Sequence, residues 1–114
     1  MSKSFLRGEV VKIDFLDGSW VEVKKELSQR DQDYIITQMA KVKAGENNPE
    51  MELSLGRMAL LERVITNWSF ADDAGIKVPI IPDNISNLKL KYRTLILTKV
   101  DELNKQANEW AEKN

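Results

Sequence analysis

The side chains able to do chemistry in this chain are its carboxylates and little else. Its 114 residues include neither cysteine nor histidine. That removes disulfides, thiol nucleophiles, Ser-His triads, Cys/His zinc sites and haem ligation by His or Cys. What remains is carboxylate chemistry or an oxygen-ligand metal site, and each needs acids that converge on one cleft. Asp72, Asp73 and Gly75 come nearest to a calcium loop. The alternating oxygen ligands and the closing bidentate Glu of such a loop are missing, so an acidic turn is the preferred reading. Glu52 with Glu62, and Asp101 with Glu102, are conceivable catalytic pairs, but nothing in the sequence draws them together and they read as surface acids. Lys89, Lys91 and Arg93 interleave with Tyr92 in a way that can contact phosphates. On a helix, alternate residues point apart, which favours a solvated face. No catalytic residue, metal or cofactor is expected.

Composition points the same way. Lys and Arg number 17 against 18 Asp and Glu, a net charge of −1 with the signs interspersed. A nucleic-acid binder usually carries a basic surplus or stripe, so nucleic acid is not an expected partner. No apolar run reaches the roughly 18 residues of a membrane span, and Met1-Ser2-Lys3-Ser4 leads into no signal-peptide core. The expectation is a soluble, cytoplasmic, single-domain protein over residues 1–114.

The elements that must position any site can be read along the chain. Val11, Ile13 and Phe15 alternate with polar residues, and Val21 and Val23 continue the alternation after Asp17-Gly18, predicting a β-hairpin over about residues 9–24. A two-residue turn would set Ile13 against Glu22. A three-residue connection that sets Phe15 against Val21 and Ile13 against Val23 is preferred, because it gathers the apolar side chains on one face. Ser28 and Asp31 resemble a capping box opening a helix over 28–43, with Ile35, Met39 and Val42 on one face. Lys41 and Lys43 suit its C-terminal end, and residues 44–48 read as a loop.

Asn48 followed by Pro49 starts a second helix, predicted over 49–68. At about 100° per residue, Met51, Leu55, Met58, Leu61, Ile65 and Trp68 form one stripe and Leu53, Leu60 and Val64 another beside it. Such a helix should be central and packed on two sides. Trp68 and Phe70 read as core anchors rather than a binding site. A last helix is predicted over 84–112, with Asp83 as its cap. Ile85, Leu88, Tyr92, Leu95, Ile96, Val100, Leu103, Ala107 and Trp110 make its apolar stripe. The fold class is α+β, mainly helical: an N-terminal hairpin packed on three principal helices.

Some apolar residues fall outside this scheme. The connector carries Phe70, Ile76, Val78, Ile80 and Ile81 around Pro79 and Pro82. It either packs over the helices or docks into a partner's groove, and both readings stand open. Leu90 and Leu97 lie opposite the main stripe of the last helix, and Trp110 sits near the end of the chain. Unless that helix bends or begins late, they are covered by another element or face a partner. Ile76, Val78, Ile80, Ile81, Leu90, Leu97 and Trp110 are therefore the candidate contact residues for a protein partner.

The order of these features resembles a family. The hairpin with DGSWVEVKKELSQRD, the helix ending ALLERVITNWSF, then DDAG, VPIIPDNISNL and a long helix is similar to small tail assembly chaperones of tailed bacteriophages, over roughly Glu9 to Leu103. The family pattern often has Leu in the connector where this chain has Val78, Ile80 and Ile81. The resemblance implies a viral, non-enzymatic role in host cytoplasm: coating the tape-measure protein, recruiting tail-tube subunits and leaving before the virion is complete. Some members also have a frameshifted longer form. A permanent head-tail joining or tail-completion subunit is the alternative, and homo-oligomers are compatible with either. An enzyme or nucleic-acid module of unfamiliar type is disfavoured by the missing His and Cys and by the balanced charge.

Overall fold

The computed structural model describes residues 9–42 and 48–113, with side chains through residue 106. The expectations for residues 1–8, for Lys43 with the loop 44–47, and for the side chains of Ala107 and Trp110 lie outside the described residues. The architecture is α+β, an N-terminal hairpin followed by helices. Strands β1 (Val10–Asp14), β2 (Trp20–Lys24) and β3 (Ile65–Trp68) form one antiparallel sheet in the order β1-β2-β3. Helix α1 (Gln29–Met39) follows the hairpin, α2 (Pro49–Val64) leads directly into β3, and α3 (Pro82–Ser86) and α4 (Leu90–Lys113) close the chain. No helix among the described residues is long and apolar enough to cross a membrane.

The hairpin keeps the expected three-residue connection but centres it one residue earlier. Ile13 faces Val21 and Val11 faces Val23, not Phe15 against Val21 and Ile13 against Val23. Phe15 N–H donates to Ser19 O at 2.9 Å and Gly18 N–H to Phe15 O at 3.0 Å, enclosing Leu16, Asp17 and Gly18. Gly18 adopts a φ of 89°, which an L side chain rarely tolerates, and the Asp17 carboxylate takes the Ser19 N–H at 3.0 Å. The pairing moves by two positions relative to expectation. An even shift preserves faces, so Val11, Ile13, Phe15, Val21 and Val23 still share the inner side.

Ser28 and Asp31 form the full capping box of α1, and Asn48 Oδ1 caps α2 by accepting from Met51 N–H at 3.1 Å. Helix α1 stops at Met39 rather than residue 43. Helix α2 ends at Val64, and the last four residues of the predicted helix, Ile65–Trp68, are strand instead. Val64, Ile65 and Thr66 are a β-branched run, and the open edge of β2 supplies the ladder bonds such residues favour. The two-sided packing holds only for the second half of α2: Ala59, Leu61 and Val64 are buried, whereas Met51 and Leu53 are each 49% exposed. Gly56 lets α1 approach, since a Cβ there would lie 3.0 Å from Met39 Sδ.

The predicted helix over 84–112 is two helices. Chain turns at Asn87 and Leu88 separate α3 from α4, and Ile81 with Pro82 at the first helical position opens α3 without a side-chain cap from Asp83. The core joins Phe15, Val21 and Val23 of the hairpin to Leu61, Val64, Ile65 and Trp68, with Ile85 of α3 and Ile96, Val100 and Leu103 of α4 closing it.

Candidate functional site

Four aromatic rings organise the side of the core from which the connector departs. Tyr92 lies 4.7 Å from Phe15 and 5.0 Å from Phe70 between ring centroids, and Trp68 meets Phe70 edge-on at 5.5 Å. Trp68 is 1% exposed, and its indole N–H donates to Val78 O at 2.7 Å. Burying a side chain of this size is among the larger single contributions a small core can make. The indole bond also ties the connector to β3.

The connector is itself a short hairpin. Val78 N–H donates to Phe70 O at 2.9 Å, and Ala71 bridges Lys77. Asp72 N–H donates to Ile76 O and Gly75 N–H to Asp72 O, each at 2.9 Å, with Gly75 at a φ of 80°. The Asp72 carboxylate accepts from Ala74 N–H at 2.9 Å and Ile76 N–H at 3.0 Å. The acidic motif thus spends its carboxylate on its own backbone, as an Asx-type turn does.

This arrangement divides the expected contact residues. Val78, Ile80 and Leu97 pack partly buried against the core, which corrects their reading as surplus. Leu90 is 68% exposed, Ile76 65% and Ile81 47%. The expected stripe residues Tyr92, Ile96, Val100 and Leu103 do face the core, but Leu97 packs in beside them and Leu95, expected inside, is 50% exposed. Leu16 at the first hairpin's tip is fully exposed. Leu90, Leu16 and Ile76 are each one or two residues from Tyr92, Phe15 or Val78, so the fold brings their backbones to the margin of one aromatic cluster. Leu95 and Leu16 escaped sequence reasoning: the exposure of Leu95 depends on the phase of α4, and Leu16 reads in sequence as a continuation of the strand.

The charged residues hold the scaffold. Asp31, 1% exposed, receives Lys24 Nζ at 2.9 Å, Arg63 Nε at 2.9 Å and Ser28 N–H at 3.0 Å, joining β2, α1 and α2. Burial alone would raise its pKa, but the bonds from Lys24, Ser28 and Arg63 outweigh it and hold the carboxyl at about 2. Tyr34 donates to Glu62 at 2.6 Å, and that bond to a carboxylate raises the phenol's pKa. Bonds from the Ser19 hydroxyl, the Tyr92 hydroxyl and the Ser19 N–H depress the pKa of Asp17. Lys91 Nζ lies 3.9 Å from the same carboxylate, so the basic cluster is divided, with Arg93 Nε buried and unpaired. Asp101 and Glu102 pair with Lys105 and Lys99 instead of with each other. No group of three or more potential metal ligands occurs among the described residues.

Protein-family models, curated proteins and solved structures were all compared with the chain, and none matches.

Proposed function

We propose that the protein is a non-enzymatic binding protein that shields apolar helical segments of a tape-measure protein during phage tail assembly. The observation that carries this reading is the exposure of Ile76, Ile81, Leu90 and Leu95 beside a core already closed around Trp68. Four large aliphatic side chains exposed on the connector and on the first turns of α4 offer apolar surface that a polypeptide partner would cover. The tape-measure partner comes from the resemblance over Glu9 to Leu103. Long amphipathic helices offer apolar faces of the kind that seat against exposed Leu and Ile.

Co-expression with the tape-measure reading frame of the same genome tests it. The expected outcome is a soluble complex with the wild-type chain that is lost for the double variant Ile76→Lys/Leu90→Lys, whose thermal midpoint stays close to wild type. A tape-measure protein that stays equally soluble with the double variant would reject these contacts. Stoichiometric copies in mature particles would replace the chaperone reading with that of a permanent head-tail joining or tail-completion subunit.

A further inference from the structure

We infer that β1 is a self-recognition edge, through which two copies of the chain pair antiparallel about a two-fold axis at Ile13 and join their sheets. The sheet order β1-β2-β3 leaves the outer side of β1 without a partner among the described residues. Its pairing with β2 is regular from Val10 opposite Lys24 to Asp14 opposite Trp20, with no bulge. Phe15 N–H bonds Ser19 O and Lys25 N–H bonds Glu9 O, so the odd-numbered residues of β1 make the hydrogen-bonded pairs. The even-numbered ones, Val10, Lys12 and Asp14, therefore turn both N–H and C=O away from β2. They form a row of donors and acceptors with no partner among the described residues.

Charged side chains on such an edge ordinarily discourage pairing. Here their order selects one arrangement. Lys12 and Asp14 project from the same face, with side chains 54% and 74% exposed, and their own ion pair is loose at 3.8 Å. Antiparallel pairing centred on Ile13 sets Lys12 of each copy opposite Asp14 of the other, with both residues in hydrogen-bonding positions. The same register carries Val10, 48% exposed, toward the fully exposed turn residue Leu16 of the second copy. On the inner face Ile13 meets Ile13, and Val11 meets Phe15. Centring on Lys12 would oppose two lysines, and centring on Val11 would leave Asp14 without its cation. Opposite charges directly across a ladder stabilise it, and like charges destabilise it. The sequence Val10-Lys12-Asp14-Leu16 is thus its own antiparallel complement.

Sedimentation of the full chain and two charge-reversed variants tests this inference, which does not rest on the partner reading above. Wild type should show a concentration-dependent dimer, and Lys12→Glu alone and Asp14→Lys alone should each be folded monomers. Their equimolar mixture should dimerise again, because each introduced charge then faces its opposite across the axis while both internal pairs remain like-charged. Because the chain has no cysteine, mixing Lys12→Cys with Asp14→Cys under mild oxidation gives a second reading that charge-variant folding cannot obscure. A mixed disulfide should form in preference to either symmetric one. A monomeric wild type up to about 1 mM, a mixture that stays monomeric, or symmetric disulfides in equal yield would overturn the proposal.

Discussion

The chain builds the same three-residue turn twice, around Gly18 and around Gly75, and the two hairpins that result are held in different ways. The first continues into a regular ladder from Val10 to Lys24, and its inner residues feed the core. The second has a single bridge, Ala71 with Lys77, and depends on the Trp68 indole gripping Val78 O from the side. Backbone pairing secures one hairpin and an aromatic anchor secures the other. A loosely paired hairpin with exposed Ile76 at its turn is the region better suited to adjust to a partner, since weakly bonded local structure opens at low cost.

Removing the anchor should have the largest effect. Trp68→Ala is expected to cost about 4 kcal/mol and to release the second hairpin while the first keeps its ladder until global unfolding. Chemical denaturation with hydrogen exchange at Val78 and at Val21 would report both events. Asp31→Ala comes next, at about 3 kcal/mol, because it removes the buried anion that Lys24 and Arg63 share and leaves Ser28 N–H without its acceptor, breaking one half of the capping box.

That carboxylate also sets an acid limit. Its folded pKa of about 2 lies below the roughly 3.9 of an unfolded Asp. The stabilisation is therefore complete above about pH 4 and is lost as pH falls through about 2. Midpoints measured from pH 6 to pH 2 should fall for wild type and change less for Asp31→Asn.

The turns themselves give a matched pair of smaller changes. A Cβ at Gly18 or at Gly75 would meet no atom within 4 Å, so the cost of alanine is backbone strain alone, about 1–2 kcal/mol at either site. Gly18→Ala should lower the global unfolding free energy by that amount. Gly75→Ala should show mainly as faster exchange in residues 70–78, with a smaller change in midpoint. Equal global destabilisation would mean that the two hairpins unfold as one unit. Least affected should be Leu90→Lys, within about 0.5 kcal/mol of wild type by thermal melt.

Local chemistry was legible in the sequence, and long-range pairing was not. Ser28 with Asp31 and Asn48 with Pro49 named two helix starts correctly, because a cap and its amide lie within one turn of each other. The first hairpin was visible in its alternation, although turn geometry rather than alternation fixes the register. Residues 65–68 read as helix because Ile65 and Trp68, three apart, continue the stripe that begins at Met51, and only the edge of β2 decides for strand. The Asp31 cluster was half visible: the cap is local, but Lys24 and Arg63 are 7 and 32 residues away. Of the contact candidates, Leu90, Ile76 and Ile81 are exposed, whereas Val78, Ile80 and Leu97 are partly buried. The break at Asn87 and Leu88, which separates α3 from α4, carries no proline or glycine to announce it.

Hydrogen exchange of the chain with and without a fragment of the proposed tape-measure partner would show which surface a bound polypeptide covers. Added protection is expected in residues 74–81 and 90–95, with little change in α1 or in the first half of α2. Protection confined to the exposed side chains Ile36, Met51 and Leu53 and their neighbours, with residues 74–81 and 90–95 unaltered, would contradict it.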